Sequence, residues 1–284
     1  MEISESKANS TEQQKNTEDI KETEIINLNE AKEILERDKN SDRGKENMLE
    51  NSSLINEDLD ISNVSKSICK IKTEASLGTQ YGTGFLLRFK IDQEMFYCLT
   101  SNGHVISNNM INNEDNIHIS YDSEFKSVNI KLDKKKRYIK SFKDINLDII
   151  IVEIIEEDNI LRDYFLYPEP EERINNGLIN MNIYIPQHAE GKELKVANGI
   201  IKEINNYVFS HLASTLNGSS GSPIFLENNI DVIGIHKECN TEKSENYGNF
   251  IYPAINIIKE DIRKKEKKVN IYMENIYGKI INII

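Results

Sequence analysis

The sequence predicts an all-β protein of antiparallel strands, and two observations carry that prediction. Short apolar segments separated by turn residues recur from about residue 67 to residue 252. Several of these segments alternate apolar and polar residues, which is the period of a half-buried strand. Many short strands with turns between them favour a barrel or a sandwich over a doubly wound parallel sheet.

The first segment of the chain is polar and acidic, and we expect it to be a disordered tail. Residues 1–62 are rich in Glu, Asn, Ser and Lys, and Met1 to Asp60 hold 17 acidic residues against 8 basic ones. Such a composition buries too little apolar surface to maintain a fold. A solvated tail is the favoured interpretation, and the alternatives are a propeptide and a docking arm.

The next segment supplies the strands of a first antiparallel barrel. Residues 69–72 alternate apolar residues with lysines, as a strand with one buried face does. Residues 95–99 form an apolar run that ends shortly before His104, and residues 149–155 form another that begins directly after Asp148. The second run is apolar on both faces, which predicts an interior strand.

A polar connection leads to a second set of strands and then to a helix. The predicted strands cover residues 181–185, 194–204, 207–209, 223–225, 232–236 and 249–252. Ile255, Ile258 and Ile262 then follow at helical spacing, which predicts an amphipathic helix over residues 254–268. Residues 269–284 are an apolar extension, for which an extra strand, a packing arm and an oligomer contact all stay open.

One loop carries the residues from which chemistry can be argued. In residues 215–225 two glycines bracket a pair of serines, and a proline and an apolar run follow, which is typical of a tight loop entering a buried strand. A serine hydroxyl becomes a nucleophile when a base takes its proton and amide donors receive the developing oxyanion. His104 and Asp148 are the candidate base and its partner, so the chain order is His, Asp, Ser.

These motifs resemble those of the chymotrypsin-fold, trypsin-like serine peptidases. Residues 218–223, Gly-Ser-Ser-Gly-Ser-Pro, are similar to the family's Gly-Asp/Asn-Ser-Gly-Gly/Ser-Pro. Residues 147–151 look like the Asp-Ile-Ala-Leu-Leu segment, and residues 99–105 look like the family's histidine segment. Gly-Thr-Gly-Phe at residues 82–85 is similar to the sequence that opens the preceding strand in many members. The resemblance covers about Ile68 to Ile258.

The resemblance implies a fold and an activity for most of the chain. It implies two six-stranded antiparallel β-barrels, at about residues 63–165 and 178–253, in a peptidase domain spanning residues 63–268 with the terminal helix. It also implies a serine endopeptidase that cuts protein or peptide substrates and needs no metal and no organic cofactor.

The same resemblance assigns roles to four residues. Ser220 is the expected nucleophile, His104 the general base and Asp148 the residue that orients the imidazole. The backbone N–H groups of Gly218 and Ser220 form the expected oxyanion hole. The rival residues are Asp144 for the acid and Ser219 and Ser222 for the nucleophile.

Substrate preference depends on two further residues. Thr215 and His236 are similar to the threonine and histidine that line the specificity pocket in the bacterial glutamyl endopeptidase branch, which implies a preference for acidic side chains. The alternative interpretation makes His236 a structural histidine of a barrel strand. We expect the remaining histidines to be surface or structural residues: His118, His188 and His211.

Two other functions are compatible with these residues. A chymotrypsin-fold protein-binding module without turnover is the main alternative, and an esterase acting on non-peptide substrates through the same residues is another. The Gly-x-Ser-x-Gly elbow of α/β-hydrolases fits poorly, because Pro223 leads into a strand and the histidine precedes the serine.

Composition bears on location and partners. The first residues lack the basic and apolar regions of a secretion signal, and no apolar run approaches the length of a membrane span. Three cysteines, Cys69, Cys98 and Cys239, cannot all pair with one another, which favours a reducing compartment. We therefore expect a cytoplasmic protein with no membrane partner, and the net charge of −12 argues against a nucleic-acid partner. The oligomeric state stays open.

Overall fold

A computed structural model describes residues 64–75, 78–227, 229–240 and 245–281. The predicted disordered tail, residues 1–62, lies outside the described residues. The domain limits given above stay predictions.

The first half of the molecule is one antiparallel sheet of seven strands. Its order is β5-β4-β1-β2-β3-β7-β6, and among the described residues no pairing joins the edge strands β5 and β6. This half is therefore an open half-barrel and not the closed six-stranded barrel that the resemblance implied. Its strands are β1 Ile68–Ala75, β2 Gly78–Ile91, β3 Glu94–Ser101, β4 Asn116–Tyr121, β5 Lys126–Lys131, β6 Ile139–Ser141 and β7 Ile150–Glu153.

The second half is a closed antiparallel barrel of six strands, as expected. Its order is β10-β13-β12-β11-β8-β9, and β9 closes the ring by pairing with β10. The predicted all-β, chymotrypsin-like fold is thereby confirmed. The strands are β8 Asn182–Gln187, β9 Lys195–Asn205, β10 Val208–His211, β11 Pro223–Leu226, β12 Val232–Asn240 and β13 Glu245–Phe250.

One apolar cluster joins the two halves. It contains Phe85 and Phe142 from the first half and Phe225 and Ile235 from the second, and all four are fully buried. Burying a side chain of this size contributes about 1.5–3 kcal/mol, so the cluster fixes the two halves against each other. The ends of β3 and β7 and the loop before β11 consequently meet at one junction.

Two helices complete the fold. Helix α1, Asn108–Asn112, is short and begins at Ser107, whose hydroxyl accepts from the Met110 N–H at 3.3 Å. Helix α2 spans Tyr252–Ile281, which confirms a C-terminal helix and extends it beyond residues 254–268. The extension is consistent with the sequence, because Pro253 favours the first helical turn and no glycine or proline interrupts the next 24 residues.

Helix α2 is attached to the first sheet by apolar and ionic contacts. Ile255 and Ile258 are buried in the cluster shared by the two halves. Asp261 accepts hydrogen bonds from Tyr138 at 3.0 Å and from Lys140 at 2.5 Å. In the described part of the chain, no helix is apolar over enough residues to cross a membrane.

Candidate active site

The turn that follows β3 presents His104 at the surface. The N–H groups of Val105 and Ile106 both donate to the Asn102 carbonyl at 3.1 Å, which makes the turn tight. The His104 side chain is 47% exposed, and its Nδ1 atom hydrogen-bonds to the Oδ2 atom of Asp148. The imidazole Nε2 atom is therefore the one left for a reacting group.

Asp148 lies two positions before the first residue of β7 and is held on several sides. Its Oδ1 atom accepts from the His104 backbone N–H at 3.2 Å. Its own carbonyl accepts from the Asn102 side chain at 2.5 Å, and its N–H donates to Asn249 of the second barrel at 3.3 Å. The rival Asp144 is exposed in the turn before Asp148 and has no such bond to His104.

The pKa of Asp148 lies below its usual value. Burial opposes ionisation of this carboxyl group and would raise the pKa, but the hydrogen bonds and charge of His104 outweigh that effect. The charge of Lys237 acts in the same direction. Asp148 is consequently an anion that can orient the imidazole and stabilise its protonated form.

Ser220 lies in a tight loop between β10 and β11. Gly218 and Gly221 both have φ near +90°, which side chains other than glycine rarely adopt. A Cβ atom at Gly221 would also lie 2.0 Å from the Thr83 carbonyl oxygen. These two glycines therefore fix the path of the backbone on both sides of Ser220.

The Ser220 hydroxyl does not hydrogen-bond to His104 in this structure. It donates instead to the carbonyl of Lys237 at 3.5 Å. The loop and the turn of His104 are nevertheless neighbours, because the Ser220 carbonyl accepts from the Thr83 N–H at 2.9 Å and the Thr83 carbonyl accepts at 2.7 Å from the hydroxyl of Ser101, the last residue of β3. The structure thus joins His104 to Asp148 directly and places Ser220 nearby with its hydroxyl turned to another acceptor.

Two amide groups of this loop are available to a ligand. Among the described residues, the N–H groups of Gly218 and Ser220 have no hydrogen-bond partner, whereas the Ser219 N–H donates to Leu216 at 2.9 Å. The hydroxyl of Ser222, a rival nucleophile, donates to the Ser219 carbonyl at 2.6 Å and is therefore already hydrogen-bonded within the loop. The two unpaired donors can receive a negative oxygen atom.

Thr215 and His236 are both buried, with exposures of 3% and 1%. The Oγ1 atom of Thr215 has no partner among the described residues. Burial, with a smaller contribution from the charge of His104, lowers the pKa of His236 to about 3, so its imidazole is neutral at physiological pH.

His211 is buried beside His236, a contact that the sequence did not reveal. Its Nε2 atom lies 3.3 Å from His236 Nδ1, it is fully buried, and burial followed by the nearby His236 lowers its pKa well below the usual value. The neighbours of His211 in β10 are buried on both faces, so alternation in the sequence could not show which way it points.

The arrangement provides acid–base chemistry from protein side chains. The residues that the structure describes contain no group of three or more His, Cys, Asp or Glu side chains placed to bind a metal ion. An imidazole oriented by a carboxylate, beside a serine and two unpaired amide donors, suits transfer of an acyl group.

The half-barrel, the closed barrel and the site between them define the class of chymotrypsin-fold proteins. Comparison with protein families goes one step further, since the trypsin-like peptidase domain model matches residues 82–235. This match covers more than half of the chain. The chain therefore belongs to the trypsin-like peptidase domain family, and the predicted family is confirmed at that level.

Solved structures agree with this fold. The serine endoprotease from Yersinia pestis is 13% identical over 72% of this chain and 65% of its own, with a TM-score of 0.53. The HtrA-type protease AlgW with a tripeptide is 13% identical over 72% of this chain and 63% of its own, with a TM-score of 0.52. The chain spans slightly less than two thirds of these relatives, and at such identity the likeness shows the fold alone. A search of curated proteins found no match.

Proposed function

We propose that the protein is a serine endopeptidase that cuts peptide bonds with Ser220, His104 and Asp148. The observation that carries the proposal is the contact of His104 with Asp148 through both the imidazole and the backbone N–H. Because the carboxylate binds both the imidazole and the backbone N–H of His104, the imidazole has little freedom to rotate. The Ser220 loop lies on the adjacent barrel.

In the proposed mechanism the Ser220 oxygen attacks the carbonyl carbon of the substrate while His104 Nε2 takes the hydroxyl proton. The carbonyl π electrons move to oxygen, and the N–H groups of Gly218 and Ser220 receive the resulting oxyanion. His104 then gives its proton to the leaving amine as the C–N bond breaks. Water then attacks the acyl-enzyme while His104 takes a proton from it, and His104 returns that proton to the Ser220 oxygen as the acyl group leaves. Asp148 stays ionised throughout.

The mechanism requires the Ser220 side chain to rotate about its Cα–Cβ bond. Its present hydrogen bond to the Lys237 carbonyl is at the long limit of such contacts, at 3.5 Å, so little free energy opposes the rotation. Catalytic hydrogen bonds in unliganded enzymes are often made only when substrate binds.

Hydrolysis of an unstructured protein substrate tests this proposal. We expect turnover by the parent chain and loss of it in Ser220→Ala and His104→Ala, with Ser127→Ala as the matched control because Ser127 is exposed on edge strand β5. Folded parent protein without Ser220-dependent turnover on any protein or peptide would refute the endopeptidase.

We also propose a preference for acidic side chains before the cut. It is supported by the Thr215 hydroxyl, which has no partner among the described residues, and by neutral His236, which can donate one hydrogen bond to a carboxylate while His211 supports its other nitrogen. Both residues are buried, so a substrate side chain can reach them only after a local rearrangement. A peptide library cut equally well after other residues would remove this preference and leave the mechanism standing.

One observation favours the second candidate, a protein-binding module without turnover. The Ser220 hydroxyl bonds to Lys237 rather than to His104, which is the arrangement expected of a silent site. The two candidates differ in chemistry and not in fold, so the turnover experiment decides between them.

A cytoplasmic location also stays a proposal. It is supported by Cys69 and Cys98, which are free, fully buried thiols. Burial raises the pKa of Cys98 to about 12 and that of Cys69 further, which keeps both thiols protonated and unreactive.

A further inference from the structure

We infer that Thr83, in strand β2 of the first sheet, is a positioning residue that holds the Gly218 N–H group in the oxyanion-binding direction. The inference rests on the proposed function, which gives that N–H group its role. Thr83 is fully buried and lies across the junction from the Ser220 loop.

Thr83 binds the loop through two of its atoms. Its backbone N–H donates to the Ser220 carbonyl at 2.9 Å, and its hydroxyl donates to the Gly218 carbonyl at 2.7 Å. The hydroxyl oxygen also accepts from the His188 N–H at 3.0 Å. One side chain thus connects the loop of the nucleophile to the turn that begins at His188.

That turn determines the direction of the Gly218 N–H group. The Glu190 N–H, in the same turn, donates to the Asn217 carbonyl. In a trans peptide the C=O and N–H groups point in opposite directions, so binding the Asn217 carbonyl turns the Gly218 N–H away from residues 188–191. This direction leaves the N–H group unpaired among the described residues.

The backbone at Gly218 needs such a restraint. With φ near +90°, glycine has several accessible conformations, and the peptide before it could reorient at small cost. Close packing adds to the restraint, because a Cβ atom at Gly218 would lie 2.8 Å from the His188 carbonyl oxygen. Among the described residues, the Thr83 hydroxyl is the one group bonded both to the Gly218 carbonyl and to the turn.

Thr83 is also bonded to the strand that leads to the proposed base. The Ser101 hydroxyl donates to the Thr83 carbonyl at 2.7 Å, and Ser101 is the last residue of β3 before the turn of His104. The same residue therefore connects the segment that carries the imidazole with the loop that carries the hydroxyl and the oxyanion donors.

Thr83→Val and Thr83→Ser test the inference in the full chain. Valine keeps the shape and removes the hydroxyl, whereas serine keeps the hydroxyl. We expect valine to lower kcat about 10-fold per titrated active site with KM nearly unchanged, because losing an oxyanion donor outright costs about 10²–10³-fold. We expect serine to restore kcat to within about 3-fold of the parent, given that the bonds to Gly218 and His188 are kept.

The outcomes separate a positioning role from a purely structural one. A structural role would lower the fraction of titratable sites and leave kcat per site unchanged, which would overturn the inference. If valine prevents folding, Thr83→Ala replaces it. Failure of both hydroxyl-free variants to fold, with Thr83→Ser active, would assign the hydroxyl to folding and also overturn the inference.

The inference and the proposed function fail in different ways. A folded parent without Ser220-dependent turnover refutes the proposed function and with it the premise of the Thr83 role. A parent with turnover that Thr83→Val leaves unchanged refutes the Thr83 role alone.

Discussion

The carboxylate of Asp148 binds His104 at two points, the imidazole Nδ1 and the backbone N–H, the latter at 3.2 Å. The bond to Nδ1 orients the ring and, with an ionised carboxylate, favours the tautomer that carries its proton on Nδ1, while Nε2 has no partner among the described residues. The carboxylate is in turn fixed because the backbone of Asp148 bonds to Asn102 and, across the junction, to Asn249.

Asp148→Asn should retain the fold and lose most of the activity. An amide cannot stabilise the protonated imidazole and favours the wrong tautomer, and the equivalent change in a serine triad lowers kcat by about 10⁴-fold. The measurement is kcat on a peptide substrate, with Asp144→Asn as the control because Asp144 is exposed in the neighbouring turn. Parent-like turnover by Asp148→Asn would exclude Asp148 as the orienting acid.

Stability should fall as the solution is acidified from about pH 6.5. His236 has a pKa of about 3 in the folded protein because it is buried, whereas an unfolded histidine has about 6.5. Between these two pKa values the unfolded chain therefore binds more protons than the folded chain. The free energy of unfolding consequently decreases by about 3 kcal/mol between about pH 6.5 and about pH 4.

Urea unfolding of His236→Gln across the same window measures that contribution. Below about pH 6.5, the unfolding free energy of the variant should decrease less steeply with falling pH than that of the parent. Above neutrality the pH dependence of the two proteins should agree, and this agreement serves as the control. Asp148 adds its own loss only at lower pH, because its pKa is lowered in the folded state and its stabilisation disappears as pH falls through that value. Parallel curves for parent and variant would contradict the buried, neutral state of His236.

Asp158→Ala should destabilise the first sheet strongly. Arg137 and Asp158 form a bidentate pair at 2.7 and 3.0 Å, and their side chains are only 5% and 6% exposed. Removing one partner leaves a buried unpaired charge, which costs about 3–5 kcal/mol. Glu260→Ala is the matched control, since its pair with Lys264 is exposed on helix α2 and should contribute about 0.5 kcal/mol or less. Equal effects of the two variants on the urea midpoint would refute the prediction.

The local parts of the fold and of the site could be predicted from the sequence. Alternation in residues 69–72 indicates a strand because burial of one face acts on every second residue. Gly218 and Gly221 indicate a tight loop because few other residues adopt φ near +90°. The apolar run that begins after Asp148 contains the buried strand β7, which starts at the second residue of the run, Ile150.

The remaining features depend on contacts between distant segments. β12 shifts register against β13 between His236 and Glu238, so that Lys237 bulges toward Ser220. No local pattern reports such a bulge, nor the approach of His211 to His236. The open order of the first sheet likewise depends on whether its edge strands meet, which alternation within a strand does not determine.

Labelling by a fluorophosphonate, with the modified residue located by mass spectrometry, tests the central claim most directly. The reagent phosphonylates a serine, with fluoride as the leaving group, where a base removes the hydroxyl proton and donors stabilise the negative oxygen. We predict one adduct per folded chain, on Ser220, absent in Ser220→Ala and strongly reduced in His104→Ala. Folded parent protein that carries no adduct, or carries it on Ser219 or Ser222, would contradict the account.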